Sequence, residues 1–548
     1  MPADLILRNA VVRTGAGGGT ADALAVQAGR IVAVGSGHDV EGLHGAATRV
    51  VDLQGALVLP GFVDAHCHLG MSGLGTTQCD LEGSHGADEH LRRIGAYRAA
   101  HPDREWVIGG GWSMNEFPGG TPTAAALDAV VPDRPAVLTN RDYHGAWVNS
   151  RALEVAGITS STPDPAGGRI ERDAGGGPLG TLQEQAMHLV LDLAPAPTHA
   201  ERVAGIRAGQ AYYHRLGITS CQDALVNAEW QRAYEDLARS GELGLRVRGA
   251  IEWEPGRGEE QLPELVERRA SGTVGRLACG HVKFFHDGVV ENRTAAMLDP
   301  YLDGDGRPTA DHGMDMYARA DLELFVRLCD AAGFGVHIHT IGDRAVRESL
   351  DALEAAIRQN GRRDARHQLA HVQFAHPDDL PRFAAIGVIA NVTPLWARLE
   401  EYVTELTLPF VSDLAAAGMY PFASILRAGG ALAFGSDWSV STPDPRHQLA
   451  TAVARVDPEG AAAEPLLPGE RLDLDAAIAA QTIGAAHACM LEAVTGSIEP
   501  GKLADLVVLD RDLHGLDPPD YLGVRVLATL VEGEVVHAAP DSELSLST

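Results

Sequence analysis

The pattern of apolar and polar positions divides the chain into two kinds of segment. Near both ends, short β-branched runs are broken by Gly-rich turns, as in DLILRNAVVRTG and VRVLATLVEGEVVHA. Such runs predict strands, because they lack the spacing of an amphipathic helix. We therefore expect residues 1–58 and 490–548 to form one composite β-sandwich domain.

Between the two ends, apolar runs alternate with helical stretches rich in Ala, Leu and Arg, which is typical of βα units. Eight runs qualify as strands: VLPGFVDAH, GITSCQDA, LRVRGAI, GHVKFF, FGVHIH, HQLAHV, GVIANV and ALAFGSD. This alternation predicts an α/β fold, a (β/α)8 TIM barrel, over residues 59–489. Residues 70–197 are too long for one connection and contain their own Gly/Pro turns, so we expect an inserted subdomain there, over the active site.

Histidines and one aspartate close several predicted strands. His66 and His68 end the first strand, His339 and His371 end the fifth and sixth, and Asp437 ends the eighth. Residues two apart on a strand point the same way, and a barrel brings the carboxyl ends of its strands to one mouth. Nitrogen and oxygen ligands at that mouth predict a divalent metal site, which polarises a carbonyl and lowers the pKa of bound water toward about 7.

Lysine is scarce in this chain, so each lysine is a candidate for a special role. The sequence has two, Lys283 and Lys502, among 44 basic residues. Lys283 lies in the predicted fourth strand, where an ammonium beside metal ions is disfavoured and a lowered pKa leaves a neutral amine. Such an amine can take up CO2 as an anionic carbamate that bridges two metal ions. Arginine cannot form that carbamate.

Composition and charge narrow the class of partner. The formal net charge is -30, which repels nucleic-acid phosphates and anionic membrane surfaces. No apolar run reaches the roughly 18 to 20 residues of a membrane span, and the start of the chain does not resemble a signal peptide. The six cysteines show no CxxC spacing. We expect a cytoplasmic enzyme with a small-molecule substrate, and neither nucleic acid nor membrane as partner.

Seven segments resemble one enzyme family in order along nearly the whole chain. They are LPGFVDAHCHLG, DYHGAWVNSRALEVAGIT, VKFFHDGVVENRTAAM, HIHTIGDRAV, LAHVQF, FGSDWSVSTPDP and GSIEPGKLADLVVLD. The chain resembles the amidohydrolase superfamily, and within it the YtcJ-like, amidohydrolase-3 type that includes N-substituted formamide deformylase.

This resemblance implies a ligand set and a reaction. It implies that His66, His68 and Asp437 bind a first metal ion, and that carboxylated Lys283 bridges to a second ion held by His339 and His371. The implied reaction is attack of a metal-bound hydroxide on an amide-type carbon, with Asp437 as general acid and base. Zinc is the first expectation for both ions, with manganese, iron, cobalt or nickel as alternatives. A homodimer is expected from the family alone.

Other side chains are candidates for substrate binding or for support of the ligands. His144 can donate a hydrogen bond to the substrate carbonyl, as a third catalytic residue. Asp343 can orient His339, and we expect His337 to be structural or to support a ligand. Candidates for substrate contacts are Trp112, Tyr143, Trp438 and Arg293.

Three alternatives stay open. A mononuclear member of the superfamily would deaminate a cyclic amidine, but such members commonly lack the lysine found here as Lys283. A lactone or ester is an alternative substrate for the same binuclear site. A non-catalytic scaffold of the same fold would have lost metal ligands, whereas every ligand position is filled in this sequence.

Overall fold

The computed structural model describes residues 2–15, 19–460 and 464–545. Its centre is a sheet of eight parallel strands in which neighbours in sequence are neighbours in space. The barrel strands, in order, are Phe62–Cys67, Ile218–Val226, Arg246–Glu252, Leu277–Phe285, Gly335–Thr340, Gln368–His371, Ile389–Val392 and Ala431–Phe434. The two-residue strand Thr273–Val274 pairs with the fourth of them. The predicted (β/α)8 barrel is confirmed.

The first and last barrel strands meet through the segment that carries Asp437. The backbone N–H of Asp437 donates to the carbonyl of His66 at 2.7 Å, and the carboxylate of Asp64 accepts the Ser436 N–H at 2.9 Å. Parallel strands around a barrel place all their carboxyl ends at one mouth. The seam therefore brings the ends of the first and eighth strands together at that mouth.

Helices cover the outside of the barrel. The helix Ala228–Ser240 shows why they form where they do: the Asn227 side chain accepts the Trp230 N–H at 3.0 Å, and Gly241 ends the helix with φ +77°. The longer helices are His199–Arg215, Ala228–Ser240, Leu262–Ser271, Arg319–Ala331, Asp343–Asn360, Leu380–Ile386 and Pro445–Ala454. Shorter ones are Asp413–Ala417, Phe422–Arg427, Leu474–Ala479 and Ala485–Ala488.

Two sheets from both chain ends form the predicted β-sandwich domain. The first contains, in spatial order, Arg30–Gly35, Ala23–Gln27, Leu5–Arg8 and Arg49–Asp52. The second contains Glu534–Ala538, Val526–Val531, Leu506–Leu509, Leu57–Pro60, Val11–Arg13 and Thr20–Ala21. The two chain ends join where Leu57–Pro60 pairs antiparallel with Leu506–Leu509. A short helix, Gly37–Glu41, packs on the first sheet; the exact domain boundaries stay a prediction.

The inserted subdomain has a sheet of its own after the first barrel strand. Its strands are, in spatial order, Gly168–Arg172, Pro178–Glu184, Gly145–Val148, Ala136–Asn140, Val107–Trp112 and Cys79–Asp80. The last three run parallel, so their carboxyl ends share one edge. Its helices are Leu69–Gly75, Ala87–Ala100, Ala124–Asp128, Ser150–Val155 and His188–Leu191. The shared edge carries residues 141–144 to the barrel mouth.

Across the described ranges, no helix is both long enough and apolar enough to pass through a lipid bilayer.

Candidate metal centre

The barrel brings the predicted ligands to one mouth. Phe62–Cys67 carries His66, Gly335–Thr340 carries His339, and Gln368–His371 ends at His371. Lys283 lies near the end of Leu277–Phe285, and Asp437 follows the eighth strand by three residues. Because parallel strands share a direction, side chains at these positions project into the same space.

Asp437 lies at the centre of the cluster. Its Oδ1 is 3.3 Å from His66 Nε2 and 3.1 Å from His68 Nε2. One ligand atom each from His66, His371 and Asp437 lies within 4.8 Å of the others, a spacing that suits one shared ion. The His339 ring is 4.7 Å from the His371 ring, centroid to centroid. The structure thus brings these predicted ligands together, while their role as ligands stays a prediction.

Several buried atoms of this cluster have no hydrogen-bond partner among the described residues. They are His66 Nε2, His68 Nδ1, Lys283 Nζ, His371 Nδ1 and Asp437 Oδ1. Buried polar atoms are nearly always bonded, so a group of orphaned atoms at one place needs an explanation. Imidazole nitrogen and carboxylate oxygen are ordinary ligands of zinc and related divalent ions. The donor set fits a divalent metal ion.

The electrostatic state of the ligands also fits metal binding. Burial lowers the pKa of His66 to about 3 and holds the pKa of His339 and of His371 well below the usual value. These rings are therefore neutral, which is the form that binds metal. Burial favours the neutral acid at Asp437, but the imidazoles of His66 and His68 outweigh it and keep its pKa well below the usual range.

Lys283 is a buried amine with no counter-ion in contact among the residues that the structure describes. The side chain is 1% exposed, and its Nζ lies 4.7 Å from the centroid of the Phe285 ring. Burial lowers the pKa of Lys283 to about 7, although Asp437 acts in the opposite direction. Near neutral pH a large share of this side chain is therefore an uncharged amine, the form that adds CO2.

A hydrogen bond fixes which ring nitrogen of His66 faces the cluster. His66 Nδ1 lies 2.8 Å from His337 Nε2, and His337 Nδ1 lies 3.0 Å from Gln222 Nε2. His66 Nε2 is thereby left for the ion. His337 supports a ligand, as the sequence allowed, because it lies on the same strand side as His339.

The prediction that Asp343 orients His339 is wrong. Asp343 does not contact His339; its Oδ1 accepts the Leu298 N–H at 2.8 Å instead. His339 Nε2 lies 3.2 Å from the carbonyl oxygen of Gly288, which leaves Nδ1 for the ion. Asp343 begins the helix Asp343–Asn360, and its carboxylate accepts a hydrogen bond from the loop that follows the fourth barrel strand. No sequence signal pointed to a glycine carbonyl in this role.

His144 reaches the cluster from the inserted subdomain. Its ring centroid lies 5.2 Å from that of His339, and its Nδ1 lies 2.7 Å from Glu184 Oε2. Burial disfavours the charged ring, but the Glu184 carboxylate outweighs burial and raises the pKa of His144 to about 9. Sequence reasoning missed Glu184, because it lies 40 residues away and only the sheet pairing brings the two together.

Several residues of the site have a strained backbone, as do other residues along the chain. Tyr143, Glu184, His371 and Asp437 have φ values of +64°, +51°, +71° and +53°, which L-residues rarely adopt. Each such residue costs about 1–3 kcal/mol, so the surrounding structure must impose it. Strain of this kind is typical of functional sites.

A cavity of about 1300 Å3 lies near the cluster, but none of the predicted ligands lines it. Tyr143 lines it, and its hydroxyl lies 2.6 Å from Ser439 Oγ. Trp396, also in the lining, stacks on the His371 ring with 5.1 Å between centroids. Burial raises the pKa of Tyr143 to about 12, so its phenol stays neutral at ordinary pH. Tyr143 is therefore placed where it can contact a substrate.

Three other candidates for substrate contacts do not line this cavity. Trp112 is in the core of the inserted subdomain, where its Nε1 donates to the Leu138 carbonyl at 2.8 Å. Trp438 is 1% exposed and packs against Tyr212 and Tyr213. The Arg293 guanidinium lies 4.4 Å from the Phe410 ring centroid, outside the cavity lining. Their placement gives no support to a role in substrate binding.

Comparison with known proteins identifies the family of this chain. The sequence pattern of the amidohydrolase family matches residues 49–537, nearly the whole chain. The chain belongs to the amidohydrolase family. This family consists of metal-dependent hydrolases, and the donor set at the barrel mouth fits a divalent metal ion.

Two relatives and one solved structure show how far the likeness of this amidohydrolase extends. It is 31% identical to the N-substituted formamide deformylase of Arthrobacter pascens, over 97% of both chains. It is 32% identical to Protein LONG AFTER FAR-RED 3 of Arabidopsis thaliana, over 98% of this chain and 92% of that protein. An uncharacterized metal-dependent hydrolase from Pyrococcus horikoshii shares the fold, with a TM-score of 0.74 at 24% identity, over 94% and 99% of the two chains.

Proposed function

We propose that this amidohydrolase cleaves a non-peptide C–N bond of the amide, formamide or carbamate type, using two divalent metal ions. The observation that carries the proposal is the set of orphaned buried nitrogen and oxygen atoms at the barrel mouth. The full-length relative named as an N-substituted formamide deformylase supports the bond type. Zinc is the first candidate for both ions, and a CO2-derived carbamate on Lys283 is the proposed bridge.

The residues divide into two groups of ligands. His66, His68 and Asp437 would hold the first ion, since Asp437 Oδ1 lies 3.1–3.3 Å from both imidazoles. His339 and His371 would hold the second, and carboxylated Lys283 would join the two. When bound, such ions polarise a carbonyl oxygen and make a nearby water more acidic.

Asp437 is the proposed general acid and base. Its carboxylate is ionised, because the neighbouring imidazoles hold its pKa well below the usual range. It can therefore accept the proton of the attacking water and return the same proton to the leaving nitrogen as the C–N bond breaks. Because Asp437 is 6% exposed, bulk water competes little for that proton.

We assign the substrate carbonyl and its substituent to separate places. His144, whose ring lies 5.2 Å from that of His339, would donate a hydrogen bond from Nε2 to the carbonyl oxygen as negative charge develops there. Tyr143 lines the cavity of about 1300 Å3, which has room for a nitrogen substituent of substantial size. Such a volume exceeds the range of roughly 300–1,000 Å3 typical of small-molecule pockets.

A substrate panel tests the proposed bond type. The enzyme, stripped with a chelator and then reloaded with zinc, is assayed on formanilide, acetanilide, methyl N-phenylcarbamate, a γ-lactone and a cyclic amidine, with release of aniline as the measure of C–N cleavage. We expect hydrolysis of at least one anilide or carbamate that disappears on stripping and returns with metal. Turnover confined to the lactone, or ammonia release from the amidine alone, would refute the C–N amide proposal.

A further inference from the structure

Glu184 is a buried carboxylate that no metal-ligand assignment uses. It is 5% exposed and ends the strand Pro178–Glu184 of the inserted subdomain. Its Oε2 lies 2.7 Å from His144 Nδ1, and its Oε1 accepts the Thr294 hydroxyl at 2.5 Å. Both carboxylate oxygens are therefore engaged, one with the inserted subdomain and one with the barrel loop after the fourth strand.

The backbone holds the same pair together. The Glu184 N–H donates to the carbonyl oxygen of His144 at 2.9 Å, and Asn292 Nδ2 donates to the same oxygen at 3.0 Å. The His144 N–H in turn donates to Asp142 Oδ1 at 2.9 Å. Hydrogen bonds thus hold both the main chain and the ring of His144.

Gly288 links this arrangement to a predicted metal ligand. A Cβ at Gly288 would lie 2.4 Å from Glu184 Oε1 and 2.2 Å from Thr294 Oγ1, so any side chain there would displace both. The Gly288 carbonyl is also the group 3.2 Å from His339 Nε2. One glycine therefore orients His339 and leaves the space that Glu184 occupies.

A second buried histidine–carboxylate pair shows what a purely structural arrangement looks like. His367 Nε2 lies 3.3 Å from Asp330 Oδ1, and its Nδ1 accepts the Val336 N–H at 3.2 Å. Both nitrogens of that ring are used within the fold, at the amino end of the sixth barrel strand. His144 differs, because its Nε2 makes no hydrogen bond to any residue in the described part of the chain.

We propose that Glu184 is a positioning residue, which accepts the His144 Nδ1 hydrogen and thereby aims His144 Nε2 at the substrate carbonyl oxygen. The inference rests on the proposed amide hydrolysis. Thr294 and Gly288 hold the carboxylate in that place. Glu184 acts through His144 and touches no reacting atom itself.

A double-mutant cycle tests whether Glu184 acts through His144. Glu184→Met removes the acceptor at similar length, Glu184→Gln keeps an acceptor oxygen, and each is combined with His144→Asn. On the best substrate of the panel, we expect Glu184→Met to lower kcat by about 10- to 100-fold with little change in KM, and Glu184→Gln to lower it less. In the His144→Asn background, Glu184→Met should have no further effect. Independent, multiplicative losses would overturn the proposal.

A spectroscopic measurement keeps the test decisive even if no panel substrate is turned over, the outcome in which the proposed function itself fails. The His144 Nδ1–H proton is identified in 15N-histidine-labelled enzyme by its loss in His144→Asn. We expect it to disappear or move in Glu184→Met and to stay in the control Asp330→Asn, which should lose stability but keep kcat. An unchanged resonance in Glu184→Met would contradict the inference.

Discussion

Two buried charged clusters in this amidohydrolase have opposite characters. In the first, where the third barrel strand meets the β-sandwich domain, Arg246 donates to Asp505 at 2.9 and 3.2 Å and to Glu532 at 2.6 Å. Asp505 also accepts the Glu532 N–H at 2.8 Å. In the second, at the barrel mouth, Lys283 Nζ has no partner in the described chain, and Asp437 Oδ1 faces two imidazole nitrogens at 3.1 and 3.3 Å.

The difference separates structural from functional burial of charge. A buried ion pair with every donor and acceptor matched gives little net gain, but losing one partner is costly. A buried group with no partner lowers stability as it stands, so its presence indicates a ligand or a reaction. Substitutions in the first cluster should therefore affect folding, and substitutions in the second should affect activity.

Asp437→Asn should give the largest effect on activity. The amide cannot carry the transferred proton, and we expect kcat to fall by about 10²- to 10⁴-fold. The unfolding free energy of the metal-free protein should fall as well, because the neighbouring imidazoles hold the pKa of Asp437 well below its usual range and so stabilise the ionised carboxylate in the folded state. Steady-state kinetics and equilibrium denaturation of the same preparation measure both quantities. A nearly normal kcat would contradict a functional role for the cluster at the barrel mouth.

Arg246→Met should show the reverse behaviour. Asp505, whose side chain is 0% exposed, would keep a buried charge without its partner, and we expect a loss of about 3–5 kcal/mol in unfolding free energy. At a temperature where the variant is folded, kcat should be normal. Urea denaturation followed by assay of the native fraction checks this, and a selective loss of kcat would assign the cluster a catalytic part.

Lys283→Met should lower activity while making the metal-free protein more stable. The change removes a buried donor without a partner, a gain of about 1–3 kcal/mol, and it removes the proposed bridge between the two ions. The other lysine, Lys502, donates to Ser497 Oγ at 2.5 Å in the β-sandwich domain, so Lys502→Met is the matched control with normal kcat. Equal behaviour of the two variants would argue against a special role for Lys283.

Trp112→Phe should give the smallest effect. The substitution removes one hydrogen bond, from the indole N–H to the Leu138 carbonyl, and should cost about 1 kcal/mol of stability with KM unchanged. Comparison with Tyr143→Phe, which alters a residue in the cavity lining, sharpens the assay. A clear rise in KM for Trp112→Phe would instead indicate that Trp112 contributes to substrate binding.

The fold, and most of the residues that meet at the barrel mouth, could be predicted from the sequence. Alternating strands and helices predicted the fold, and position at strand ends predicted that His66, His371 and Asp437 would meet, because parallel strands fix which ends share a mouth. The survival of Lys283 in an arginine-rich chain predicted a buried, special amine, and the residue is 1% exposed. Such inferences depend only on periodicity and chain direction.

Contacts made by loops could not be predicted. Asp343 serves Leu298 rather than His339, because the loop after the fourth strand supplies the Gly288 carbonyl instead. Trp112 ends a strand of the inserted subdomain, and only the packing of that sheet decides that its side chain faces the core. Glu184 meets His144 through a strand pairing with no local sequence signal. Loop paths and sheet faces depend on tertiary packing, which periodicity does not encode.

Metal content tests most directly whether the site holds two divalent ions. Elemental analysis of protein purified without chelator is compared for the wild type and Lys283→Met, with peptide mass analysis at non-acidic pH for CO2 on Lys283. We expect two divalent ions per chain in the wild type, fewer in the variant, and activity that follows the metal content. A folded, active enzyme without metal, or one ion unaffected by Lys283→Met, would contradict the binuclear site.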